Sequence, residues 1–263
     1  MSEMKWYQII IPLVAVFFIT SCAVFRPARE LEITPPDKIN KVRDLLSALK
    51  IQNDSLRNFK GIGNIQIRQK GHLLLEQRVA WIGEKPDKLS IAVLISGYPA
   101  LKLAMDGKWL YYLEVAGQDT KFGKIASSDP SLEKLISIPI SSSAVILLLA
   151  GQIPMPEFDQ AALIEEEAPF GYVLVLKDRW WGIRQKIYYN PGLSGIRQID
   201  VFHRSGELKY RVEIESMQRI NGFQVPQRLK LYNRDGSDCQ LDIERYWANV
   251  DLPPDVFVLV PPK

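Results

Sequence analysis

Most of this chain alternates. From Phe59 onward apolar and polar residues take turns at a period of two, in short runs separated by turn residues. Side chains of an extended strand point to opposite faces in succession, so such alternation specifies strands with one buried face. In "GNIQIRQ" Ile65 and Ile67 face one way, Gln66 and Arg68 the other. After Gly71 come Leu73, Leu75, Val79 and Trp81, then Leu89, Ile91, Val93 and Ile95, then Leu101, Leu103 and Met105. Asp106-Gly107 is a turn, and Trp109, Tyr111, Leu113 and Val115 follow it. The pattern stops near Gly117 and resumes with Tyr172, Leu174 and Leu176, continuing through Tyr210, Val212 and Ile214 to "CQLDIERYW". Asn221-Gly222 and Asp235-Gly236 punctuate the late part as hairpin turns. The spacing predicts a mainly β protein, a single curled antiparallel sheet of about eleven strands.

Three segments break the alternation. Ile39, Val42, Leu45, Leu46 and Leu49 recur at helical spacing and predict an amphipathic helix over 37–49, with Pro36 and Asp37 at its start. Asp129-Pro130 suits the N-cap and first position of a helix through "SLEKLIS". "SSSAVILLLAG", Ser141 to Gly151, is apolar on nearly every side. A helix there must be covered, and it is too short to span a bilayer.

The N-terminus is a separate matter. An apolar run from Trp6 to Thr20 follows Lys5 and ends at Cys22. Its roughly fifteen residues suit the core of a signal peptide better than a membrane span. Ile19-Thr20-Ser21-Cys22 resembles the lipobox of bacterial lipoproteins. The resemblance implies cleavage after Ser21 and acylation of Cys22, so residues 1–21 are expected to be a signal peptide. Residues 22–36, with three prolines between Arg26 and Lys38, are expected to be the lipidated cysteine and its tether, and 37–263 the domain. The same resemblance implies that Ala23, second in the mature chain, directs the protein to the outer membrane. Several acyl chains on one residue anchor firmly, at ~0.8 kcal/mol per buried methylene.

Chemistry is hard to find. The net charge is +3 with scattered basic residues, which argues against a nucleic-acid partner. His72 and His203 belong to no motif, and HExxH, CxxC, GxSxG and phosphate-loop patterns are missing from the sequence. Glu165, Glu166 and Glu167 are consecutive, so on a strand they diverge rather than converge on a metal. Cys239 reads as a small core residue. No enzyme, cofactor or metal is expected. Trp180-Trp181, flanked by Asp178, Arg179 and Arg184, fits either a membrane interface or rings packed on the sheet.

The order of these segments resembles the LolA/LolB family of lipoprotein carriers and receptors. "SIPISSSAVILLLAGQIP" carries the likeness most strongly, through Ile138-Pro139, the apolar helix and Gly151-Gln152-Ile153-Pro154. "FKGIGNIQI", "VAWIGEKPDKLSI" and "GFQVPQRLKLYN" are further echoes. The resemblance covers most of Leu45 to Pro262. It implies an unclosed β-barrel around an apolar cavity, with short helices in the opening. Trp81, Leu103, Trp109 and Tyr111, with Ala144, Leu147 and Leu148 of the apolar helix, are the expected lining of an acyl-chain cavity. In "ISGYPALKL" Tyr98 falls where LolB carries a protruding membrane-inserting residue. The expected function is lipid-chain binding and transfer at the periplasmic face of the outer membrane. A monomer is expected, with an acylated cargo, lipoprotein or lipid, and a periplasmic carrier as partners. The other reading is a non-transporting envelope scaffold with a filled core.

Overall fold

Thirteen strands form one antiparallel sheet in a computed structural model of the chain, which describes residues 36–116, 119–166, 171–190, 195–253 and 255–261. The signal segment, Cys22, nearly all of the tether and Glu167 lie outside these residues. Helix α1 (Pro36–Ile51) leads into a meander of β1 (Asn58–Gln69), β2 (His72–Glu84), β3 (Lys88–Ile95), β4 (Tyr98–Asp106), β5 (Trp109–Ala116) and β6 (Asp119–Ala126). Helices α2 (Glu133–Ile136) and α3 (Ser142–Leu149) come next. A second meander follows: β7 (Gln160–Glu165), β8 (Tyr172–Asp178), β9 (Gly182–Asn190), β10 (Gly195–Phe202), β11 (Leu208–Ile220), β12 (Phe223–Tyr232) and β13 (Asp238–Ala248).

The spatial order runs β6-β5-β4-β3-β2-β1-β13-β12-β11-β10-β9-β8-β7. The two meanders are joined where β1 pairs with β13, Ile65 opposite Leu241. Strands β6 and β7 are the two free edges, so the sheet is not closed. They are also the two strands that alternation did not predict. The expected strand count was about eleven, and the meander was expected to stop near Gly117; β6 continues it.

Residues of both meanders meet the helices in one core, among them Phe59, Trp81, Leu89 and Met105 from one side and Leu174, Ile187, Ile199 and Val212 from the other. Helix α1 contributes Val42 and Leu49, as its spacing predicts, while Ile39 stays outside. The close packing depends on missing side chains. Gly61 pairs with Trp81 across the β1–β2 ladder, and the indole lies over it. A Cβ on Gly61 would come within 2.2 Å of that ring.

The loop from β6 to β7 carries α2 and α3 across the inner face of the sheet. Asp129 does not cap α2, whose N-cap is Leu132. Residues Ser131 and Ser141 form an isolated bridge that brings Asp129 to the start of α3. There its carboxylate accepts from the Ser143 amide at 2.9 Å and the Ser142 hydroxyl at 3.0 Å. Ser141 Oγ accepts from the Ala144 amide, a conventional N-cap. Helix α3 has no acidic residue in its first turn, and Asp129 supplies the negative charge that its N-terminus favours.

Candidate functional site

An apolar cavity of about 90 Å³ lies between the helices and the sheet. Its floor is Ile65 and Ile67 of β1, Leu75, Val79 and Trp81 of β2, and Ile91 and Val93 of β3. Leu229 and Leu231 of β12 and Cys239 and Leu241 of β13 extend the floor. Its roof is Leu132, Leu135 and Ile136 around α2, with Val145, Leu148 and Leu149 of α3. Every lining side chain is apolar or a thiol. Burial pushes the Cys239 thiol up to about 12, so it stays protonated and behaves as a hydrophobe.

A second hollow adjoins the first. It is a groove of about 850 Å³ between Leu45, Ala48 and Leu49 of α1, the Gly151–Ile153 turn, and strands β9 to β12. Its walls are mixed: Ile196, Met217 and Leu229 beside Arg197, Glu215 and Arg219. Arg197 donates from its guanidinium to the Glu215 carbonyl at 3.2 Å. Leu148 and Leu229 line both hollows. Ligand sites usually measure about 300–1,000 Å³. The groove lies in that range and the apolar cavity well below it.

Helix α3 is tied down at its far end too. The Tyr246 hydroxyl donates to the Leu149 carbonyl at 3.0 Å, and Asn53 Nδ2 donates to the Ala150 carbonyl at 2.8 Å. Gln52 Nε2 donates to the Gly151 carbonyl at 2.8 Å. These bonds satisfy carbonyls that a helix C-terminus leaves open. Burial raises the Tyr246 hydroxyl far above its ordinary range, which keeps it a donor. Lys85 Nζ reaches Gln152 Oε1 and the Asn53 and Asp54 carbonyls, linking the β2–β3 turn to the same junction.

The structure brings together only some of the residues expected in the cavity. Trp81 and Leu148 line it. Ala144 is buried in the same core beside it, and Leu147 is half-buried on α3 without lining it. Leu103 faces the same side, opposite Ile91, but one strand beyond the cavity wall. Trp109 and Tyr111 are on the other face of the sheet. Met105 pairs with Leu110 across the β4–β5 turn, so the inward face passes from odd-numbered to even-numbered residues. Tyr112, opposite Leu103, therefore takes the inward place. The outward Trp109 ring is covered by Lys124, whose Nζ lies 4.2 Å from its centroid. Tyr111 donates to Asp106 Oδ2 at 3.0 Å. Val145 and Leu149 line the cavity as well and stand at i, i+3 and i+4 with Leu148, a spacing that marks one helix face.

Tyr98 is 79% exposed at the β3–β4 tip, beside Ile95 at 50%. His72 and His203 are exposed next to turns. Among the described residues no group of three or more His, Cys, Asp or Glu is placed to hold a metal ion. No described helix is long and apolar enough to cross a membrane.

No family profile and no curated protein sequence matches this chain. Solved structures do. A DUF1329 family protein from Desulfovibrio piger is similar at a TM-score of 0.59 and 15% identity, over 84% of this chain and 97% of its own. A LolA superfamily protein from Nitrosomonas europaea is similar at 0.52 and 16%, over 84% and 97%. An outer membrane lipoprotein-sorting protein domain from Vibrio parahaemolyticus is similar at 0.52 and 10%, over 83% and 97%. The fold is thus LolA/LolB-like: one long unclosed antiparallel sheet with short helices against its inner face.

Proposed function

We propose that this protein is a lipoprotein anchored through acylated Cys22 to the periplasmic face of the outer membrane, where it binds acyl chains and passes acylated cargo on. The carrying observation is the cavity under α3, whose lining offers an acyl chain nothing but apolar contacts. Burial alone is the driving force. Each methylene that the cavity takes from water contributes about 0.8 kcal/mol before ordering costs. The groove is the entrance, and Leu148 and Leu229 are the gate. Helix α3 is held at both ends, so rotation of these two side chains costs less than lifting the helix. Chemistry of bonds is not part of the reading: the protein acts by binding. The cargo class is an acylated lipoprotein or a free lipid, delivered by a periplasmic carrier.

Native mass spectrometry of the protein released gently from membranes tests this. A retained adduct with the mass of an acyl-bearing molecule is expected. A second reading, a scaffold with a filled core, draws support from the small volume of the apolar cavity. For it, the same measurement returns the protein mass alone.

A further inference from the structure

The β8–β9 tip presents Trp180 and Trp181 to solvent, 81% and 45% exposed. Trp180 is largely uncovered, and Trp181 is covered in part. The turn holds them out, because the Asp178 carboxylate accepts from both Trp180 and Trp181 amides, at 2.8 and 3.0 Å. Asp159 accepts from the Arg179 amide at 2.7 Å. Beyond these two turn carboxylates, basic groups stand beside the pair. The Arg204 guanidinium stacks on Trp181 at 4.8 Å from its centroid. Arg184, Arg204 and Lys209 line an open hollow of about 590 Å³ beside it, and Arg184 Nε there is buried without a hydrogen-bond partner. The one carboxylate in that hollow, Glu207, is paired with Arg234.

We propose that this tip is a second membrane-contact point, which seats the two indoles in the headgroup layer of a bilayer and takes anionic lipid phosphates on Arg184, Arg204 and Lys209. Amphipathic indoles favour that layer, and clustered basic residues favour anionic lipid. Charge complementarity and two solvent-facing indoles together select a bilayer. The ladders add a geometric reason. Alternate hairpin tips of an antiparallel meander lie at one end of the sheet, and the registers place the β8–β9, β10–β11, β12–β13, β1–β2 and β3–β4 tips at the same end. Tyr98, Leu73 and Leu74 are exposed there as well. The inference is independent of the acyl cavity.

The test uses the whole protein reconstituted into phosphatidylcholine vesicles with or without phosphatidylglycerol. An NBD label is placed through Trp180→Cys, and a control label through Ile51→Cys, exposed near the opposite end. Cys239 is buried and does not compete for label. With phosphatidylglycerol present, the label at 180 should shift to the blue, be quenched by doxyl lipid and be shielded from iodide, while the control stays accessible. Arg184→Gln and Arg204→Gln should each reduce the lipid-contact population about five-fold. Equal iodide access at the two positions, or lipid quenching indifferent to phosphatidylglycerol, overturns the proposal. Acyl-probe binding by the two arginine variants should be unchanged, which keeps this result apart from any failure of the cavity reading.

Discussion

Leu148 of α3 and Leu229 of β12 stand between two hollows, and each lines both. One hollow is small and apolar, the other large and mixed. Two leucine side chains are thus the wall between them.

Gly61 and Trp81 make the first prediction. Gly61→Ala places a Cβ against the indole edge and should destabilise the protein by about 2 kcal/mol, as overpacking does. Trp81→Phe removes much of the clashing edge, so the double variant should be more stable than the summed single effects imply. Urea unfolding of the four proteins checks this; strict additivity would show that the close approach is not what restricts position 61.

Asp106 makes the second. Burial works to raise its carboxyl, but the Lys108 and Trp109 amides and the Tyr111 hydroxyl outweigh burial and hold it below its ordinary value. A group depressed on folding adds stability above its unfolded pKa of about 4, and loses that contribution as pH falls through the lower folded value. Asp106→Ala should cost about 2 kcal/mol at neutral pH. The gap between the two proteins should narrow in acid below about pH 4. Unfolding curves at neutral and acid pH with an unchanged gap would place the stabilisation elsewhere.

These two residues also show what was legible in the sequence. Trp81 was readable as inward because Leu75, Val79 and Trp81 keep one parity; the register shift of this strand falls before them, between Leu73 and Leu75. Trp109 and Tyr111 were misplaced, because the inward face changes parity at the Asp106 turn. Asp-Gly announces a turn but not how many residues it spends, and one residue more or less exchanges the faces. The two unread strands, β6 and β7, are the sheet's edges. In "DTKFGKIA" no residue is fully buried, so nothing forces alternation on it. Helix α1 was legible from the helical spacing of its apolar residues, and α3 as a short run so apolar that it had to be covered. Asp129 was not, because its partner helix begins beyond an intervening helix, and only the Ser131–Ser141 bridge brings the two together.

Tyr98 carries the third prediction. It projects from the β3–β4 tip after Gly97, whose φ of 83° suits glycine. Tyr98→Glu should leave acyl-probe affinity unchanged and reduce cargo transfer to liposomes about ten-fold or more, since a carboxylate does not enter the acyl layer. Transfer at the unaltered rate would assign Tyr98 to the turn alone.

Cys22 carries the fourth. Cys22→Ser should abolish metabolic palmitate labelling and release the protein from the outer-membrane fraction. Labelling that persists would remove the lipobox reading and the anchorage that rests on it.

The most direct test of the acyl-binding reading is a titration with a fluorescent fatty acid, run on the native protein and on Leu148→Glu in parallel with urea unfolding. A carboxylate at the wall of an apolar cavity opposes an acyl chain by several kcal/mol if it stays charged. The account predicts saturable binding, displaced by unlabelled fatty acid, that Leu148→Glu weakens by more than its loss of stability explains. Absence of saturable binding to the folded native protein, or equal affinity in the folded variant, would contradict it.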